Sequence, residues 1–183
     1  VINLGINDKL FFKQAIPIIE GIENEHQNYM GTIITLSNHS PFIFQDKYGE
    51  FDLSDTFVNT NGETVTTNYL SGTAVGNYLT SVHYADSALG DFLTYVKESS
   101  AFDNTIFVFY GDHDAKLTRK EKNYLYNYNK EDGSVYEEGN ENYTQYDSFK
   151  HELNKKTPLI MWTKNSKLKN TLKGEVKYYM GMI

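Results

Sequence analysis

The chain has no cysteine among its 183 residues. That excludes disulfide scaffolds, thiolate metal sites and cysteine nucleophiles outright. Positive charge is scarce, with 17 Lys and Arg against 24 Asp and Glu and a net charge of -7. Such a balance argues against nucleic acid as the main partner. No stretch approaches the ~20 apolar residues of a membrane span. There is no internal repeat and no low-complexity linker. What the chain does have is a 39% hydrophobic fraction with 15 Tyr and 11 Phe, enough for one domain with a sizeable core. Val1 is not an initiator Met, and Tyr178-Tyr179-Met180-Gly181-Met182-Ile183 reads like the middle of a sequence. The expectation is an excised portion of a longer protein.

Hydrophobic spacing predicts the elements. Asn7 or Asp8 caps a helix running to about His26, with Phe11, Phe12, Ala15, Ile18, Ile19 and Ile22 at helical spacing and Pro17 inside it. Thr32 to Leu36 is a short β-branched run, expected to be a buried strand. It empties into Ser37-Asn38-His39-Ser40-Pro41-Phe42. Residues 43–72 are polar and turn-rich without a clear period, and are read as a surface excursion. A long helix is expected from about Thr73 to Ser99, with Val75, Leu79, Val82, Leu89, Phe92, Leu93 and Val96 on one face. Thr105 to Tyr110 is an unbroken apolar and β-branched run, expected to be a strand buried on both faces as in a parallel sheet. Residues 114–156 are charged and tyrosine-rich, with turn signals at Asp132-Gly133 and Glu138-Gly139. A last strand is expected over Thr157 to Thr163, with Pro158 tolerated near its start. Helix, strand and polar loop in alternation give a layered α/β fold.

Chemistry is sought at strand ends, where open α/β sheets bind ligands. Gly111-Asp112-His113 follows the 105–110 strand directly. A carboxylate and an imidazole side by side suit Zn²⁺ or Mn²⁺, and Gly111 permits close approach. The alternative is an ordinary loop Asp beside a surface His. His39, at the end of another expected strand, suits a phosphate contact or proton transfer; its alternative is a loop His bonded to a backbone carbonyl. Ser37 and Ser40 lack the Gly-x-Ser-x-Gly surroundings of a nucleophile elbow. Asp86 falls close to the apolar face of the long helix and is expected to be a buried carboxylate holding a neighbouring loop. His83 has no spacing partner, and His26 and His151 are expected to be solvated. The tyrosines of 114–156 form either a platform for a sugar or lipid headgroup or the packing of the loop's own base.

Taken in order, several segments resemble the lipoteichoic acid synthase family of the sulfatase and alkaline phosphatase superfamily. They are Asn7-Asp8-Lys9-Leu10-Phe11-Phe12, Ser37-Asn38-His39-Ser40-Pro41-Phe42, Val82-His83-Tyr84-Ala85-Asp86-Ser87-Ala88-Leu89-Gly90, Asp103-Asn104-Thr105, Tyr110-Gly111-Asp112-His113 and Thr157-Pro158-Leu159-Ile160-Met161-Trp162. The resemblance implies a mixed, mostly parallel sheet sandwiched by helices. Residues 1–183 would be the carboxyl-terminal portion of a single sulfatase-like catalytic domain, with a loop excursion over about 114–156. It further implies a membrane-anchored, extracytoplasmic enzyme. That enzyme would move glycerol phosphate from a phosphatidylglycerol-type lipid to an envelope polymer or glycolipid. Under this resemblance Asp112 and His113 are ligands of a divalent metal, commonly Mn²⁺, with Zn²⁺ or Mg²⁺ as alternatives. His39 corresponds to the histidine that contacts the substrate phosphate.

The family's threonine nucleophile and further acidic ligand match no position here, so the chain by itself is expected to be inactive. Asp114 stands where the family often has Tyr or Gly. Three readings compete with glycerol phosphate transfer. The parent is a sulfatase, a phosphoethanolamine transferase, or a non-catalytic envelope protein that binds through its tyrosine loop.

Overall fold

The computed structural model describes residues 5–26, 28–43, 47–151 and 157–171. The expectations about Val1 and 178–183 lie outside them. The elements are helices and short strands in alternation, a mixed α/β protein. The chain divides into two compact units: Val1–Ser37 with Ala85–Asp114 and Leu153–Ile183, and Asn38–Tyr84 with Ala115–Glu152.

In the first unit, helix α1 spans Asp8–Glu25. The Asn7 side chain accepts from the Leu10 N–H at 3.0 Å, satisfying one donor of the first turn. Pro17 lies inside α1; it brings no N–H to the helix ladder, yet the helix continues through it. Thr32 to Leu36 does not form the expected strand. The segment joins no ladder, and Ile34 is 73% exposed. β-Branched residues favour extended backbone, but a strand also needs a neighbour to pair with and pack against.

Within residues 43–72, expected to be a surface excursion, the second unit forms a hairpin. Strands β1 (Asp55–Val58) and β2 (Thr64–Thr67) pair antiparallel, Asp55 opposite Thr67. Gly62 at φ +81° supplies the turn's left-handed residue. Helix α2 spans Ala74–Glu98, close to expectation. Thr73 Oγ1 accepts from the Gly76 N–H at 3.0 Å at its start. The residues of α2 up to Tyr84 belong to the second unit and those from Ala85 to the first.

The core of the first unit is aromatic. Phe12, Ala88, Phe92, Val96 and Phe102 are buried together, with Phe107 and Trp162 packed against them. Phe12 stacks on Phe92 at 4.7 Å between ring centroids, and Phe92 meets Phe107 edge-on at 5.8 Å. Emptying one such phenylalanine position costs about 3–5 kcal/mol.

Strand β3 is Phe107–Tyr110. After the short helices α3 (Arg119–Asn123) and α4 (Ser148–His151) comes strand β4, Leu159–Trp162. β3 and β4 pair antiparallel, Phe107 opposite Trp162 and Tyr110 opposite Leu159. Among the described residues both ladders are antiparallel and two-stranded, so the parallel pairing expected of the 105–110 run is not among them. Nor is β3 buried on both faces. Phe107 and Phe109 point inward, whereas Val108 and Tyr110 are 48% and 65% exposed beside Met161 and Leu159 at 56% and 62%. Helix α5 closes the described chain over Ser166–Thr171.

Candidate active site

A set of polar contacts aligns β3 with β4. Lys164 Nζ lies 2.6 Å from Asp103 Oδ1 and also donates to the Ser99 carbonyl. Asn165 Nδ2 donates to Asn104 Oδ1 at 2.9 Å, and Thr163 Oγ1 to the Thr105 carbonyl at 2.8 Å. Asp103-Asn104-Thr105 is thus the fastening that sets where β3 begins. At its other end Gly111 N–H donates to the Pro158 carbonyl at 3.2 Å. A Cβ on Gly111 would meet Thr157 Cβ at 3.2 Å, so a larger residue would crowd the two segments apart.

Asp112 and His113 follow, both exposed. His113 Nδ1 lies 2.7 Å from the Asp114 carbonyl oxygen. A carbonyl only accepts, so Nδ1 carries the proton, and the lone pair of the neutral ring sits on Nε2. Nε2 is 3.9 Å from Asp112 Oδ1. Divalent ions such as zinc bind imidazole nitrogen and carboxylate oxygen at about 2.0–2.2 Å. Two atoms can therefore share one ion if they are no more than about 4.2 Å apart. The pair meets that limit, and a tetrahedral angle would ask for about 3.4 Å. A histidine whose second nitrogen donates to a backbone carbonyl is the usual arrangement behind a metal ligand. Among the described residues no group of three or more His, Asp or Glu that could hold an ion occurs.

His39 is exposed, with Nδ1 2.6 Å from the Ser40 carbonyl. The same reasoning puts its proton on Nδ1. The residues around it are anchors. Asn38 Oδ1 lies 2.7 Å from Oγ of the buried Ser81. Phe42 is buried edge-on against Tyr78 at 5.1 Å, and the Ser40–Pro41 peptide is cis. Ser37 is 1% exposed, closed off from any substrate, and its Oγ accepts from the Asp8 N–H at 2.9 Å. The structure therefore brings Asp112 and His113 together in the first unit, while His39 belongs to the second.

Other expectations fare differently. Asp86 is exposed, not a buried carboxylate holding a loop. It lies two residues, about 200° of helical rotation, from both Tyr84 and Ala88, which are buried. His83 is exposed and stacks on Phe51 at 4.5 Å. His26 is exposed as expected, and the His151 side chain lies outside the described residues.

The tyrosine loop packs on its own unit. Tyr128 stacks on Tyr69 at 4.6 Å and meets Phe57 edge-on, and Tyr126 lies against Tyr146. Burial, then the Asp55 carboxylate, push the Tyr69 hydroxyl above its ordinary value of 10.0. Asn123 and Asn127, missed in the sequence reading, organise the loop. Asn127 is fully buried, donates to the Asn123 and Thr144 carbonyls at 2.8 Å each and accepts from the Thr144 N–H at 2.6 Å. Asn123 Oδ1 accepts from the Tyr146 N–H at 2.7 Å. The one local signal was Thr118-x-x-Glu121, which forms the capping box that starts α3.

The sulfatase family model matches residues 2–179. Lipoteichoic acid synthase 1 of Bacillus subtilis is 34% identical over 113 residues, 62% of this chain and 15% of that protein. The lipoteichoic acid synthase of Staphylococcus aureus is 28% identical over 113 residues, again 62% and 15%. The crystal structure of the lipoteichoic acid synthase LtaP from Listeria monocytogenes superposes with a TM-score of 0.51 at 32% identity. It covers 67% of this chain and 28% of that one. The chain thus spans about a seventh of the curated relatives' length. Among the described residues no helix is long and apolar enough to cross a membrane.

Proposed function

The chain belongs to the sulfatase family, a family of enzymes, and from that premise we propose that it serves a phosphoglycerol transferase. The substrate would be an anionic phosphatidylglycerol-type lipid. The acceptor would be a cell-envelope polymer or glycolipid, and the domain would work outside the membrane to which the full-length protein is anchored. The observation that carries this reading is the His113 ring. Its Nδ1–H is committed to the Asp114 carbonyl, and Nε2 stands 3.9 Å from Asp112 Oδ1. Asp112 and His113 would hold a divalent cation, Mn²⁺ by preference. When bound, such an ion neutralises the phosphodiester's charge and lowers the pKa of a hydroxyl nucleophile. The Asp114 carbonyl keeps His113 in the tautomer that presents nitrogen rather than N–H. His39, protonated on both nitrogens when it meets the anion, would donate its Nε2–H to the phosphoryl oxygens and stabilise the charge that builds there. Ser37 is buried, and no nucleophile is assigned within this chain.

The test uses the full-length protein with vesicles of labelled phosphatidylglycerol, with and without Mn²⁺, comparing wild type with His113→Ala. Metal-dependent release of diacylglycerol, lost in the variant, is expected. A structural four-ligand zinc site is worth about 10–16 kcal/mol, and on that scale one ligand's share is about 2.5–4 kcal/mol. Metal affinity should fall about a hundredfold or more. Full activity of His113→Ala would overturn the metal assignment. Turnover of a sulfate ester or of phosphatidylethanolamine instead would move the assignment to a sulfatase or a phosphoethanolamine transferase. Metal binding without any turnover would favour an envelope-binding role.

A further inference from the structure

Asp8 is the first residue of α1 and is 2% exposed. A carboxylate is costly to bury unless donors surround it. Here one oxygen, Oδ1, accepts the backbone N–H groups of Leu36 and Ser37 at 3.0 Å each. Ser37 Oγ in turn accepts the Asp8 N–H at 2.9 Å. The contact is reciprocal and joins segments separated by 28 and 29 positions. A helix's first turn favours negative charge, so the carboxylate suits its position as well. The segment before the contact, Thr32 to Thr35, is exposed and joins no ladder. Pairing in a sheet therefore does not fix this stretch of backbone. The Asp8 contact fixes it, at the two residues that lead into Asn38 and His39.

We propose that Asp8 is a positioning residue: its buried carboxylate sets the backbone from which the His39 loop departs, and through it the placement of the His39 ring. Asn38 on Ser81 and Phe42 on Tyr78 hold the far side of the same loop. The catalytic consequence rests on the phosphate-contact role proposed above; the anchoring itself does not. Misplacing a catalytic group by about 1 Å costs ~100-fold in rate. The loss is expected in kcat rather than in metal content.

Two readouts on the full-length protein separate these claims. Amide hydrogen exchange over residues 36–43 is compared among wild type, Asp8→Ala, Asp8→Asn and Ser37→Ala, alongside the melting temperature. Asp8→Ala should speed exchange at Leu36 and Ser37 by about ten- to a hundredfold, while α2 stays protected. Asp8→Asn keeps an acceptor oxygen and should recover most of the protection. Unchanged exchange in Asp8→Ala overturns the proposal. Lipid cleavage is the second readout. Asp8→Ala should lower kcat about ten- to a hundredfold with KM and bound Mn²⁺ unchanged, and Asp8→Asn should restore it. A general fall in melting temperature with kcat per folded molecule intact would reduce Asp8 to a structural residue and overturn the positioning role. Absence of cleavage by the wild type defeats the transferase reading instead, and exchange at 36–43 then decides the anchoring.

Discussion

Replacing Asn127 by alanine removes three hydrogen bonds at a residue with no exposed surface. The donors and acceptors left behind are the Thr144 N–H and the carbonyls of Thr144 and Asn123. Each such bond is worth about 0.5–1.5 kcal/mol net, and more when the stranded partner stays away from water. The sum is about 1.5–4.5 kcal/mol, a large part of the 5–15 kcal/mol typical of a domain. Asn127→Asp is the sharper control. It keeps an acceptor for the Thr144 N–H but turns a second oxygen toward two carbonyls, so it should be at least as damaging as alanine. Trp162, the only tryptophan, belongs to the first unit. Urea unfolding of the second unit is therefore followed by tyrosine near-ultraviolet circular dichroism, with exchange over residues 140–147 as the local probe. A loss below about 0.5 kcal/mol, the size of an ordinary surface change, would refute the claim that Asn127 organises the tyrosine loop.

Gly76→Ala tests packing against propensity. Alanine is favoured over glycine inside a helix by about 1 kcal/mol, but a Cβ at Gly76 would lie 2.1 Å from the Leu70 carbonyl oxygen. The variant should therefore be less stable in urea, and a gain would show that the close approach is not real. Tyr69 gives the second unit a pH dependence. Its folded value is raised above 10.0, so the native state holds the proton more tightly. That stability is fully present below about pH 10 and is lost as pH rises through the folded value. The urea midpoint should fall on the alkaline side, Tyr69→Phe should flatten the fall, and an equal slope in both proteins would sink the assignment.

The extent to which the fold was legible follows from where its energy lies. Helix α2 was readable because Val75, Phe92 and Val96 of its expected apolar face recur at helical spacing and are buried. Asp86 was misplaced because an apolar face read from a list of leucines and valines is broad, while the buried stripe through Tyr84, Ala88 and Phe92 is narrow. The hairpin of β1 and β2 escaped because its strands are mostly exposed and rich in threonine, so no apolar alternation marks them. Asn61-Gly62 was the one signal. In β3 the unbroken apolar run predicts burial on both faces, yet hydrophobicity records what a surface prefers and not what lies against it. The candidate site divides the same way. Asp112 and His113 are adjacent, so their association needs no tertiary information. The contact of Asp8 with Ser37 links residues far apart in the chain and leaves no local pattern. That contact changes how the Ser37-Asn38-His39-Ser40 segment is understood. As a string it offers several groups fit for chemistry. In the structure Ser37 is turned onto Asp8 and Asn38 onto Ser81, while the Ser40 carbonyl holds His39 Nδ1. The neighbours are spent on posture, and His39 is the side chain of the segment that they pose.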